Sequence, residues 1–167
     1  QILTTAQAEA VERHTRDMAD TLTVLSQDPR LPRLFSDYEE QTKVLREWEL
    51  VARIFPDRSW VYFADTNNNI LVFPEWIPPS GYDVKKRPWY LAAKNQDGIA
   101  WVEPYAEYGS GESVFTASLA IRGEQGELAG VLAIDTFLDE FLSDLRGMAV
   151  KRSGRLLAVT ENGRIVY

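Results

Sequence analysis

The sequence predicts an α+β domain with helices packed on one face of a five-stranded antiparallel sheet. Three observations point there. Two stretches with helical apolar periodicity come first, five short segments rich in β-branched and aromatic residues follow, and the helical period returns only after the last of these.

Over the first thirty residues Val11, Met18, Leu22 and Leu25 recur at spacings of seven, four and three, with charges between them. This makes one narrow apolar stripe on a long helix. The helix should stop near Asp28-Pro29, because the residue before a proline is pushed out of the helical region. A second helix runs from Asp37 to Ile54, where Val44, Leu45, Trp48, Val51, Ala52 and Phe55 form a broader face. Trp60 to Ala64 and Ile70 to Phe73 read as a hairpin across Asp65-Thr-Asn-Asn-Asn69. After a proline- and glycine-rich loop from Pro74 to Gly81, Pro88 suits the first turn of a short helix ending near Lys94. Ala100 to Pro104, Ser113 to Arg122 and Glu127 to Thr136 complete the strands. Phe137, Leu138, Phe141, Leu142 and Leu145 then share one side of a helix that Gly147 ends. Arg155 to Thr160 and Arg164 to Tyr167, joined by Glu161-Asn-Gly163, resemble the opening hairpin of another module. The expected organisation is a long N-terminal helical segment over 1–36, a central module over 37–147 and the start of an incomplete module over 148–167. The first and last residues, Gln1 and Tyr167, read as limits of a piece of a longer protein.

Composition excludes several functions. Twenty-five acids against eighteen bases give a net charge of −7 over 167 residues, with no block of like charge, which argues against a nucleic-acid surface. No cysteine is present, so disulfides, thiolate metal sites and cysteine nucleophiles are absent. The single histidine, His14, lies in a polar helical stretch and reads as a solvated helix residue. No run approaches the roughly eighteen apolar residues that cross a bilayer. Phosphate-binding, dinucleotide, nucleophile-elbow and zincin motifs do not occur, and the reading is of a non-enzyme with no cofactor and no metal.

Binding is better supported. Tyr82 to Tyr90 reads Y-D-V-K-K-R-P-W-Y, setting the fixed cation of Arg87 among ring side chains. A guanidinium offers a planar fork of donors matched to a carboxylate, the Trp89 indole offers another, and the phenols of Tyr82 and Tyr90 can close the sides. Trp89 and Tyr90 can equally be core. Trp76, Trp101 and Tyr105 add aromatic surface beyond what a loop, a short helix and an edge strand need. Asp135 ends the most apolar strand, Leu128 to Ile134. A carboxylate there needs a partner, either Arg87 or a ligand cation, or it caps the helix that follows.

In that order, the long first helix, the hairpin, Y-D-V-K-K-R-P-W-Y-L-A-A, W-V-E-P-Y, T-A-S-L-A and G-E-L-A-G-V-L-A-I-D resemble the membrane-distal half of a double-Cache sensor domain, the PAS-like, PDC-type extracytoplasmic module of bacterial receptors. The resemblance implies a PAS-like five-stranded antiparallel sheet with a long N-terminal helix and helices packed on the sheet. It also implies a ligand-binding role outside the inner membrane, in a protein whose flanking membrane spans lie elsewhere and whose output is a kinase, chemoreceptor or cyclase. A subset of the family that binds amino acids is similar at Tyr82, Arg87, Trp89, Tyr90, Tyr105 and Asp135. By that similarity Arg87 and Trp89 would take a ligand carboxylate, Tyr105 and Asp135 an ammonium group, and Tyr62 and Tyr82 would form walls. Glu107 departs from the subset, where an aspartate is expected. A homodimer through the first helix of the full receptor is expected, since its stripe fits either a parallel seam or packing on its own domain. The competing readings are a sensor of an organic acid, and a protein-interaction module with a vestigial pocket.

Overall fold

The computed structural model describes residues 5–53, 55 and 59–147, so the module expected to begin at 148 lies outside the described residues. Helix α1 spans Thr5–Ser26, a 3-10 helix spans Leu31–Ser36, and α2 spans Tyr38–Ala52. Asp37 starts α2 by accepting hydrogen bonds from the Glu39 and Glu40 amides, satisfying donors with no partner inside the helix. Arg30, paired with Asp28 at 2.7 Å and with Glu47, ties the connection between the two helices.

Strands β1 (Ser59–Asp65), β2 (Ile70–Phe73), β3 (Ala100–Ala106), β4 (Ser113–Arg122) and β5 (Leu128–Phe137) form one sheet in the order β2-β1-β5-β4-β3. Every pairing is antiparallel. Helix α3 (Pro88–Ala93) lies between β2 and β3 in sequence, and α4 (Leu138–Gly147) leaves β5 directly.

Side chains alternate across a strand, so each face has its own core. Val61, Phe63, Ala117, Leu132 and Ile134 meet Met18 and Leu22 of α1, Leu31 and Leu34 of the 3-10 helix, and Val44 and Trp48 of α2. On the other face Tyr62, Ala64, Val72, Val131 and Ala133 meet Trp89, Tyr90 and Ala93 of α3. The expectation of helices on a single face holds for α1 and α2, while α3 packs opposite them. The Met18 and Leu22 stripe is fully enclosed by its own domain. Each such side chain contributes about 1.5–3 kcal/mol of burial.

His14 departs from expectation. It is 6% exposed, wedged against Phe141 at 4.6 Å and Phe55 at 6.0 Å, with Nε2 2.8 Å from the Thr136 hydroxyl. It continues the Met18–Leu22 stripe one turn earlier, and the hydroxyl meets its polar need. No helix among the described residues is long and apolar enough to cross a membrane.

Candidate functional site

The face carrying α3 opens into a cleft lined by Trp60, Tyr62, Trp76, Tyr82, Arg87, Trp89, Tyr105, Glu107, Tyr108 and Asp135, with Ile70 and Val72 at one wall. The floor comes from the sheet. On β1, Trp60 stands opposite Asp135 of β5, and Tyr62 follows on the same side; on β4, Thr116 pairs with Asp135 from the other flank.

Strand β3 reaches the cleft through an irregularity. Val102 pairs with Thr116 and Tyr105 with Val114, so three steps along β3 match two along β4. One extra residue in the Glu103-Pro104 stretch turns Tyr105 to the same side as Val102. In a regular ladder Pro104 would occupy that place.

The roof comes from the loop before α3. Asn68, in the left-handed region at φ 72°, accepts from the Val84 amide at 2.8 Å and donates to the Tyr82 carbonyl at 2.9 Å, pinning this loop to the β1–β2 turn. Asparagine tolerates that conformation better than most side chains. Asp83 accepts from the Lys85 amide and starts a short 3-10 turn over Val84–Lys86. Arg87 follows in extended conformation, and Pro88 opens α3.

Arg87 makes no ion pair with any described residue. Its Cζ lies 5.7 Å from the Tyr82 ring centre, 6.0 Å from Tyr105 and 5.2 Å from Tyr108, and its buried Nε has no hydrogen-bond partner. Such a donor is costly to bury without an acceptor, so an anion at this position would be stabilised.

Asp135 is 3% exposed. Its Oδ1 accepts from the Tyr62 hydroxyl at 2.7 Å and the Thr116 hydroxyl at 2.5 Å. Oδ2 accepts from no described residue. Burial pushes the carboxyl up to about 7, against the lowering effect of those hydroxyls and of Arg87, with Glu107 adding to the rise. Burial likewise raises Tyr105 far beyond the ordinary phenol range and Tyr82 to about 12. Both phenols are neutral donors at physiological pH.

The partner that the sequence demanded for Asp135 is neither Arg87 nor a helix terminus. Helix α4 begins at Leu138, and the carboxylate faces the cleft, held by two hydroxyls. Tyr62, Tyr82, Arg87, Trp89, Tyr105 and Asp135 are brought together. Tyr90 is not at the cleft, since it is buried beside Trp89 in the core under α3. Trp101 points to the opposite face, where it stacks on Phe115 at 5.3 Å. Sequence reasoning missed Trp60, Ile70, Val72 and Tyr108 as lining residues; the period of two along β1 from Tyr62 would have found Trp60.

The side chains draw close. The free space between them is about 20 Å³, room for a water molecule, and the mouth is open, so a larger guest can seat fully only if the rim moves.

The family described as methyl-accepting chemotaxis protein-like, first PDC sensor domain, matches residues 37–142. Methyl-accepting chemotaxis protein PscA of Pseudomonas syringae pv. tomato is 31% identical over 105 residues, which are 63% of this chain and 16% of that protein. The ligand-binding domain of the Pseudomonas aeruginosa PAO1 amino acid chemoreceptor PctC, in complex with GABA, superposes with a TM-score of 0.74 at 24% identity, covering 98% of this chain and 71% of that one. The ligand-binding domain of the Pseudomonas fluorescens chemoreceptor CtaA, in complex with L-serine, gives 0.71 at 20% identity over 96% and 66% of the two chains. The chain thus spans about a sixth of the length of PscA. The structural likeness establishes the PAS-like sensor fold.

Proposed function

The chain belongs to the methyl-accepting chemotaxis protein-like family of first PDC sensor domains, and from that premise we propose that its cleft binds a small amino acid. The ligand carboxylate lies on the Arg87 guanidinium and the Trp89 indole N–H. Its ammonium group meets Asp135 Oδ2 and the Tyr105 hydroxyl, and Tyr62 and Tyr82 form walls. The observation that carries this reading is the buried, unpartnered Nε of Arg87 across the cleft from a carboxylate whose second oxygen is open. A zwitterion needs both charges a few ångströms apart. Amino-acid ligands in the complexes of PctC and CtaA support the same class.

In the full receptor the domain works as an extracytoplasmic sensor rather than an enzyme, and α1 conducts the signal toward the membrane. Dimerisation through α1 uses its outer, polar face, because Met18 and Leu22 are occupied within the domain.

Thermal unfolding of the chain against amino acids and simple carboxylates tests the reading. Stabilisation by at least one amino acid, lost in Arg87→Ala, is expected. The narrow interior favours a second reading, a protein-interaction module whose pocket is vestigial. That reading gains if no compound of either kind raises the melting temperature.

A further inference from the structure

We propose that Glu107 is a positioning residue which holds Tyr108 over the Arg87 guanidinium, making the 107–112 tip loop the movable rim of the cleft. Glu107 is 7% exposed in a loop at the end of a strand, an unusual place for a carboxylate. Its oxygens are occupied within the loop. Both accept from the Gly109 amide at 2.8 Å, and Oε2 also accepts from the Ser110 amide at 2.6 Å and the Ser110 hydroxyl at 3.1 Å. The main chain of Glu107 is bonded to the same loop, donating to the Glu112 carbonyl and accepting from the Gly111 amide. One residue therefore organises the whole turn.

The turn in turn fixes Tyr108. Its ring stands 5.2 Å from Arg87 Cζ and meets Tyr82 edge to face at 5.0 Å, while half of the residue remains in solvent. A Cβ on Gly109 would lie 3.1 Å from the Trp76 indole nitrogen and 3.2 Å from Glu107 Oε2, so the loop sits tightly on the Trp76 side of the mouth. Tyr108 is then the ring between Arg87 and bulk water that is least enclosed by the protein. Moving it widens the interior without disturbing the sheet. With both oxygens engaged inside the loop, Glu107 supports the rim.

The placement of Tyr108 can be tested without a ligand; only the protection arm below rests on the amino-acid reading. Phenylglyoxal modification of the 167-residue chain, followed at the Arg87 peptide by mass spectrometry, reports how well the guanidinium is covered. Tyr108→Ala should speed Arg87 labelling several-fold, Glu107→Ala should do nearly the same, and Glu107→Gln, which keeps one acceptor oxygen, should be slower than Glu107→Ala. Exposed Arg53 and Arg122 should label at unchanged rates. The proposal is overturned if Tyr108→Ala or Glu107→Ala labels no faster than the parent chain, or if Glu107→Gln is as fast as Glu107→Ala. Should Glu107→Ala fail to fold, seen as fast labelling of every arginine, Ser110→Pro takes its place, removing both the 2.6 Å amide donor and the hydroxyl; faster labelling of Arg87 alone then supports the proposal and a parent-like rate overturns it. Millimolar L-serine, L-leucine or GABA should slow labelling of Arg87 in the parent chain. Absence of protection by all three counts against the amino-acid reading and leaves the variant rates to decide the role of Glu107.

Discussion

Asp135 and Thr136 are consecutive on β5 yet bond to opposite layers of the molecule. Asp135 accepts from Tyr62 and Thr116 in the cleft, while Thr136, facing the other way, shares a 2.8 Å hydrogen bond with His14 of α1 and lies 3.6 Å from the Met18 sulfur. The cleft and α1 are thereby joined through one peptide unit of β5. Thr136→Val keeps the shape and removes the hydroxyl from a site with no access to water. Urea unfolding should show a loss of about 1–3 kcal/mol. Ligand affinity should stay near that of the parent chain, because the deleted group lies on the far side of the sheet.

Arg87 should matter little for stability and much for binding. Its Nε is buried without an acceptor, a cost that its ring contacts only partly offset. Arg87→Ala is expected to leave the unfolding free energy within about 1 kcal/mol of the parent. Calorimetric titration with a binding amino acid should show at least about a thirtyfold loss, as removal of one partner from a buried charge pair costs about 2–5 kcal/mol. Arg87→Lys keeps the charge but not the fork, and should recover only part of that loss.

The five strands and most helices were legible because their apolar periods and turn residues agree with the tertiary packing. Trp60 to Ala64 and Leu128 to Ile134 alternate or run apolar for the same reason that both faces of β1 and β5 are covered. His14 was not legible as core, since a polar residue on an apolar stripe declares its burial only when its partner, Thr136, is seen 122 residues away. The site was legible from Tyr82 to Trp89, where it is continuous in sequence, and at Asp135, where a carboxylate ends an apolar strand. Tyr108 escaped because its position depends on a carboxylate folding a loop, and Trp101 misled because one extra residue in β3 separates its face from that of Tyr105.

Gly130 should be intolerant of any side chain. A Cβ there would stand 2.3 Å from the Ala64 carbonyl oxygen and 2.5 Å from the Phe63 ring, both fixed parts of the sheet. Gly130→Ala must part β1 from β5 or expel the Phe63 ring. Overpacking of this kind costs about 1–3 kcal/mol, and contact with main chain places this case at the upper end. Denaturant melts would check it, with an unchanged midpoint as the contrary result.

Asp135 ties both stability and binding to pH. Its carboxyl rises from an ordinary 3.8 to about 7 in the folded chain, chiefly through burial. Between those two values the folded state holds a proton that the unfolded state has released, so stability is full below 3.8 and is lost as pH rises toward 7. His14 acts in the other direction, since burial lowers it from 6.5 and stability falls as pH drops below that value. The two contributions separate in Asp135→Asn. The variant should match the parent near pH 4 and exceed it increasingly up to about pH 7, by at most on the order of 4 kcal/mol. Differential scanning calorimetry across that range reads the difference directly. The variant should also lose the ammonium contact proposed for Asp135. If the ligand ammonium meets Asp135 as proposed, binding favours the ionised carboxyl, so affinity should rise about tenfold from pH 6 to pH 8, whereas Asp135→Asn should bind weakly and without that slope. A parent affinity that is flat over the same interval would mean that the ligand does not meet the carboxylate.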